Sequence, residues 1–395
     1  RTLLLLRYSN SSFIEKKKLA LNFYDKNFSI MSSNSSQDHK LCMIPGPVEF
    51  HDDVLRSIAT PATSHVSPAF INAFSECFEL LRKLFITKSA QPFVVSGSGT
   101  LGWDMVSSNL IEPGEDVLVL HTGYFATQLK ADIGDRPSLE DISSALDNKR
   151  YKAITITHVD TSTGVLSDIK NIAQLVRQKS PDTLIIVDGV CSVGSEEIRV
   201  DEWGLDIVMT ASQKGIGVPP GLSILQVFKK RKSPITSYYA SWANWLPIMN
   251  AYETRKGMYF ATPPVQLIYA LHASLKQIMS VPIETRFEQH KQASASIKKA
   301  VEELGLKFVP KSKETSANGM TAVYYPDGIA ATDLLPKVSS HDVVIAGGLH
   351  KEIATKYFRI GHMGVSVTEP ERKHVEKTIE ALRLGLKELG YSCNK

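Results

Sequence analysis

From about residue 47 the chain alternates short apolar runs with amphipathic stretches. Residues 92–96 predict a strand that ends in Gly97-Ser98-Gly99-Thr100, and a helix then runs on to Asn109. Further strands are predicted over 117–121, 153–158, 184–188, 207–210 and 222–227, with helical spacing over 139–147, 168–179 and 195–203. Short apolar strands separated by amphipathic helices mean βαβ units around a buried, mostly parallel sheet. After Thr262-Pro263-Pro264 the period changes. Long helices are predicted over 265–279 and 284–304, Gly305 breaks the pattern, and 306–395 reads strand, helix, strand, helix. The expected fold class is therefore α/β: a mostly parallel sheet flanked by helices, over 41–280, followed by a smaller C-terminal α+β domain, over 281–395. Residues 1–40 read as a leader or extension.

Composition narrows the function classes. A length of 395 residues suits two domains, and 43% hydrophobic with 22% charged residues suits a soluble globular chain. The formal net charge of +4 is small, and no Lys/Arg block is interleaved with aromatics, so no nucleic-acid partner is indicated. Cys42, Cys77, Cys191 and Cys393 lie far apart without a CxxC pair, which argues against a structural metal site and a disulfide framework and suits a reducing compartment. No apolar run is long enough to span a bilayer. The first thirty residues pair a Leu run at 3–6 with Lys16, Lys17 and Lys18. They read as an upstream extension, with Met31 as the start. The alternative is a mitochondrial presequence, which the basic bias allows and Glu15 and Asp25 weigh against. The expected compartment is cytoplasmic or mitochondrial, since Ser392-Cys393-Asn394-Lys395 lacks a peroxisomal address.

In a parallel sheet, ligands sit outside the carboxyl ends of the strands, so the polar residues there are the candidates. Gly97-Ser98-Gly99-Thr100 follows a strand and opens a helix, a place where free N–H groups and close backbone approach suit a phosphate. By itself it also reads as an ordinary tight turn, and no Lys-Ser/Thr follows to make it a Walker loop. Asp188 ends the strand 184–188, where a carboxylate either caps a helix or pairs with a cofactor's ring nitrogen. Lys214 sits in Ala211-Ser212-Gln213-Lys214-Gly215-Ile216-Gly217, between a buried strand and a Gly-rich turn. Desolvation at such a place favours the neutral amine that attacks an aldehyde. Arg359, in Phe358-Arg359-Ile360-Gly361-His362-Met363-Gly364, offers a planar guanidinium that can hold a carboxylate with two parallel bonds, or serve as a surface ion pair. The order phosphate turn, strand-end Asp, strand-end Lys points to pyridoxal phosphate.

With these elements in order, the sequence resembles the alanine–glyoxylate aminotransferases, class-V aminotransferases of pyridoxal phosphate fold type I, and the fungal members above all. The resemblance runs from Ile44 to about residue 389. It is carried by Ile44-Pro45-Gly46-Pro47, residues 96–104 (SGSGTLGWD), 157–166 (THVDTSTGVL), Val187-Asp188, 211–214, 259–266 (YFATPPVQ), 344–350 and 358–364. It implies that Ser98, Gly99 and Thr100 hold the cofactor phosphate or face the substrate, that Phe125 stacks on the ring and that Thr161 bonds near the ring hydroxyl. Asp188 then pairs with the ring nitrogen, Gln213 with the phosphate, and Lys214 forms the Schiff base. Gly46 and Arg359 are implied at the substrate. Tyr259 and Thr262 are implied to reach the phosphate of a neighbouring subunit, hence a homodimer with shared sites. The activity implied is transfer of an amino group from L-alanine to glyoxylate. Serine as donor differs only in pocket detail, and a cysteine desulfurase is disfavoured because residues 305–365 contain no Cys.

One departure stands out. Where the family carries a helix and a strand after the residue matching Phe125, this chain has only 126–132 before Ile133-Gly134-Asp135. A cofactor-binding but weakly active variant is therefore an alternative reading.

Overall fold

The computed structural model describes residues 39–123, 129–228 and 237–392. Residues up to Leu41 form a unit of their own, of which 39–41 are described, and all that follows concerns residues 42–395. A seven-stranded sheet runs in the order β1 (Gln91–Ser96), β7 (Leu222–Val227), β6 (Ile207–Ala211), β5 (Leu184–Asp188), β4 (Ala153–Thr157), β2 (Val117–His121) and β3 (Leu129–Lys130). Strands β2 to β6 pair in parallel, and β7 runs antiparallel to both β6 and β1. Every residue of β4, β5, β6 and β7 is buried. Apolar side chains on both faces of a strand require helices on both faces of the sheet, which explains the unbroken apolar runs in the sequence.

The helices follow their local chemistry. Helix α1 (Asp52–Ile58) precedes α2 (Pro68–Leu84), which starts at Ser67, whose hydroxyl accepts from Phe70 N at 3.3 Å, with Pro68 in the first turn. Phe70, Phe74, Phe78 and Leu81 recur at helical spacing and are all buried. The sequence motifs name no helix here, although the Ser-Pro start is legible. Helix α3 (Gly99–Leu110) follows β1, α4 (Leu139–Asn148) and α5 (Ile169–Lys179) flank β4, and α6 (Trp242–Glu253) and α7 (Val265–Ile278) follow β7. The expected helix over 195–203 is absent: those residues form turns and irregular chain, with Glu196 in a bridge to Val193. Long-range bonds hold them instead, with the buried Glu196 carboxylate accepting from Asn318 N and Nδ2 and Val200 N donating to Phe85 O.

The C-terminal part begins with α8 (Ile283–Glu303) and holds a three-stranded antiparallel sheet of β8 (Met320–Tyr324), β10 (Tyr357–Gly361) and β9 (Ala346–Gly347), with β10 in the middle. Helices α9 (Ala331–Ser340) and α10 (His374–Glu388) complete it. The chain near residue 43 returns to this part: Met43 N donates to Val344 O at 2.9 Å and Gly361 N to Met43 O at 2.8 Å. That tie brings Ile44-Pro45-Gly46 to the ends of the main-sheet strands. Among the described residues no helix is long and apolar enough to cross a membrane.

The edge beyond β2 bears on the shortened segment. Strand β3 pairs in parallel with β2 over only two residues, Leu120 with Leu129 and His121 with Lys130. Parallel neighbours ordinarily need a crossover of about a dozen residues or more. Here residues 122–128 alone make it, of which 124–128 lie outside the described residues.

Candidate active site

A cavity of about 370 Å³ opens where β4, β5 and β6 end, the place a parallel sheet reserves for ligands. Each of its main groups is placed by the end of an element. Asp188 is the last residue of β5, Lys214 follows β6 by three positions, and Ser98, Gly99 and Thr100 form the start of α3. No side chain caps that helix start; Leu101 N donates to Ser98 O at 3.0 Å, which leaves the Gly99 and Thr100 N–H groups at the cavity for an anion. Gly99 sits in a tight place: a Cβ there would lie 3.0 Å from Val190 Cγ2 and 3.3 Å from Ala211 Cβ, so its neighbours would have to give way by a few tenths of an ångström.

Lys214 is only 7% exposed. Its Nζ donates to Pro45 O, and burial pulls its pKa below the usual lysine value. Cys191 and Asp188 oppose that shift, and Arg359 adds to it. Asp188 is buried too, and burial raises its carboxyl. Val190 N at 2.9 Å on Oδ1, Trp103 Nε1 at 3.2 Å on Oδ2 and the charge on Lys214 pull the other way. An amine that deprotonates readily thus faces a carboxylate whose orientation is fixed by two donors.

On the C-terminal side Arg359 lines the same cavity. Its Nε donates to Gly347 O at 2.8 Å and Nη1 to Thr161 O at 3.0 Å. None of the ion pairs among the described residues involves it, so its charge is available to an anion. Thr161 and Gln213 also line the wall, and the Gln213 amide oxygen is buried with no hydrogen-bond partner among the described residues.

Gly46 packs directly on the lysine. A Cβ at this position would overlap Lys214 Cδ and stand 2.8 Å from Cε, and its φ of +92° is one that L side chains rarely adopt. We expect Gly46→Ala to push the Lys214 amine off position and to lower kcat by about a hundredfold, the usual result of an ångström-scale misplacement. Turnover measured beside thermal unfolding checks this; a large loss of fold stability with normal kcat in the surviving fraction would contradict it.

Two of the implied residues, Tyr259 and Thr262, are not among those lining this cavity within one chain. Tyr259 is 62% exposed, packs on His65 with ring centroids 5.4 Å apart, and lies 3.5 Å from the Thr262 hydroxyl. Phe125 lies outside the described residues. Other groups in or beside the cavity are ones the motifs left unassigned. Trp103 lies one turn along α3 from Gly99 and holds Asp188, and Cys191 is a buried thiol in the wall. Arg286, on α8, is fully buried and clamps Gly194 O at 2.9 Å and Gly215 O at 2.7 Å, stapling the turn next to Lys214. Trp103 could be found from its position one turn after the glycines. Nothing local in sequence announces Arg286.

These residues fit pyridoxal phosphate. The buried amine suits its aldehyde, the strand-end carboxylate its ring nitrogen, and the uncapped helix start its phosphate. The comparisons with known proteins agree. The profile of the family described as aminotransferase class-V matches residues 49–367. Alanine–glyoxylate aminotransferase 1 of Saccharomyces cerevisiae is 40% identical, over 87% of this chain and 97% of its own length. The alignment runs to 378 positions, so the yeast protein carries residues with no counterpart here. Serine–glyoxylate aminotransferase of Arabidopsis thaliana is 30% identical over 88% of this chain and 90% of its own. The crystal structure of an alanine–glyoxylate aminotransferase from Nostoc superposes with a TM-score of 0.79 at 28% identity, covering 88% of this chain and 95% of that one. The chain belongs to the class-V aminotransferases, and it is a pyridoxal-phosphate-dependent enzyme of fold type I acting on small amino acids and keto acids.

Proposed function

We propose that this enzyme transfers the amino group of L-alanine to glyoxylate, giving pyruvate and glycine. The observation that carries the reading is the charge inventory of the cavity: among the described residues its lining cations are Lys214 and Arg359 alone. With Lys214 committed to the cofactor, one guanidinium remains for one carboxylate. A donor with a second carboxylate would bury it unpaired, which costs several kcal/mol. A volume of about 370 Å³ shared between cofactor and substrate also favours a small side chain.

When bound, pyridoxal phosphate supplies the carbonyl carbon that takes the amino group and a ring that accepts the electron pair left when the Cα–H bond breaks. The chain does the rest. Arg359 holds the substrate carboxylate and so fixes which bond at Cα faces Lys214. Lys214 Nζ, whose neutral form burial favours, takes the Cα proton and returns it one carbon away. Asp188, oriented by Trp103 and Val190 N, holds a proton on the ring nitrogen. Water supplies the carbonyl oxygen with which pyruvate leaves; glyoxylate then enters the same carboxylate site and the steps run in reverse, giving ping-pong kinetics. Comparing kcat/KM for alanine, serine and aspartate with glyoxylate as acceptor tests this. Alanine is expected to lead and aspartate to trail; serine ahead of alanine would overturn the assignment of donor.

A homodimer with shared sites belongs to the same proposal. Tyr259 stands exposed beside Met258 and Val66, both about half exposed, and this apolar strip offers a face for a second copy. Light scattering should give a dimer, and Tyr259→Asp should both dissociate it and weaken cofactor retention. A monomer with full cofactor occupancy would rule out shared sites.

Weakened turnover is a second reading, favoured by the two-residue edge strand and the short crossover to it. Grafting a helix and strand after Phe125 should then raise cofactor affinity and kcat; equal values for both forms would show the segment to be dispensable.

A further inference from the structure

A second cavity, of about 580 Å³, lies between α8 and the stretch 308–318. Five lysines line it, Lys291, Lys298, Lys299, Lys311 and Lys313, against one carboxylate, Glu302. Lys291, Lys298, Lys299 and Glu302 fall on one face of α8 by helical spacing. Two of the five charges are answered: Lys311 pairs with Asp132 at 2.8 Å and Asp135 at 3.6 Å, and Lys313 with Glu302 at 3.5 Å. Among the described residues no carboxylate lies within ion-pair distance of Lys291, Lys298 or Lys299. Lys298 is half-buried and its ammonium is held by Ala317 O at 2.9 Å and Ser316 O at 3.3 Å, which aims it at the cavity wall and costs it hydration. Burial brings its pKa down to about 8, with Glu196 opposing.

Like charges gathered around a concavity repel one another and focus a positive field, an arrangement that an anion relieves. None of the lining residues is an arginine, so the fork geometry that recognises planar carboxylates is missing. Compact ammonium groups on flexible stems suit the spread charge of a phosphate. We propose that this cavity binds a small phosphate-bearing anion at a site separate from the cofactor's phosphate cradle, with Lys291, Lys298 and Lys299 as its holders.

The test is calorimetric titration of the holoenzyme with inorganic pyrophosphate, with cofactor absorbance followed in parallel and citrate as a second titrant. Saturable binding of one equivalent per chain is expected, with absorbance unchanged and citrate weaker. The double variant Lys291→Glu/Lys299→Glu reverses two exposed charges with little risk to the fold, and should weaken pyrophosphate by about tenfold or more. The control pair Lys83→Glu/Lys88→Glu, exposed and outside the cavity, should leave it unchanged. Absence of saturable binding, equal weakening by both pairs, loss of cofactor absorbance during titration, or citrate binding as tightly as pyrophosphate would each overturn the proposal.

Discussion

Replacing Lys214 by alanine is expected to lower alanine–glyoxylate transamination by ~10²–10⁴-fold or more, the range that a positioned acid–base group contributes. The reasoning starts from burial. The amine is 7% exposed and held by Pro45 O, so no bulk water or neighbouring base can stand in for it at the substrate Cα. His158, also buried near the strand ends, is held neutral with its pKa down at about 3 and does not line the cavity. The variant should also fail to exchange the Cα hydrogen of alanine with deuterium from D₂O, and should lose cofactor on gel filtration once the covalent tie is gone. Lys214→Arg separates chemistry from bulk: it fills the space but stays protonated throughout the accessible pH range, so it should be as defective as the alanine variant. Turnover within tenfold of the parent in either variant would remove Lys214 from its role.

Replacing Arg359 by alanine should have the next largest effect. Removing one partner of a desolvated charge pair costs about 2–5 kcal/mol, roughly thirtyfold to several thousandfold in kcat/KM. The loss should appear for alanine and for glyoxylate alike, because each carries one carboxylate and both use the same anchor. Part of any change belongs to structure, since Arg359 also bonds Gly347 O and Thr161 O. Two such bonds contribute on the order of 1 kcal/mol each, so the fold should survive and cofactor absorbance should persist. Arg359→Lys keeps the charge but not the fork and should recover only a fraction of the affinity. Unchanged KM values would mean that another cation binds the carboxylate, and among the described residues the cavity offers only Lys214 besides.

Much of the fold is legible because the central strands are dense in Val, Ile and Leu and buried on both faces. Strands at 117–121, 184–188 and 222–227 have the bounds that the sequence pattern predicts, since each is built of Val, Leu and Ile with only His121, Asp188, Ser223 and Gln226 polar among them. The misses have a common cause. Helix α2 shows a Ser-Pro start and a Phe stripe, yet its apolar face reads as clearly only once α7 lies against it. The 195–203 stretch has helical periodicity, but Glu196 and Val200 make bonds to Asn318 and Phe85, partners that no local pattern reveals.

The candidate site divides in the same way. Sequence by itself determined the residues at the strand ends, because a Gly-rich turn after one strand, a carboxylate at the end of another and a lysine after a third are local features. It also determined the family, through motifs spread along nearly the whole chain. Only the tertiary structure decided that Gly46 abuts the side chain of Lys214, that Trp103 orients Asp188, and that Arg286 ties down the turn beside the lysine. The physical reason is separation along the chain: each of these contacts joins elements that meet only when the sheet is covered on both faces and the segment around residue 43 is bonded to the C-terminal sheet. A side chain's neighbours across such distances are set by packing as a whole, and no window of sequence contains them.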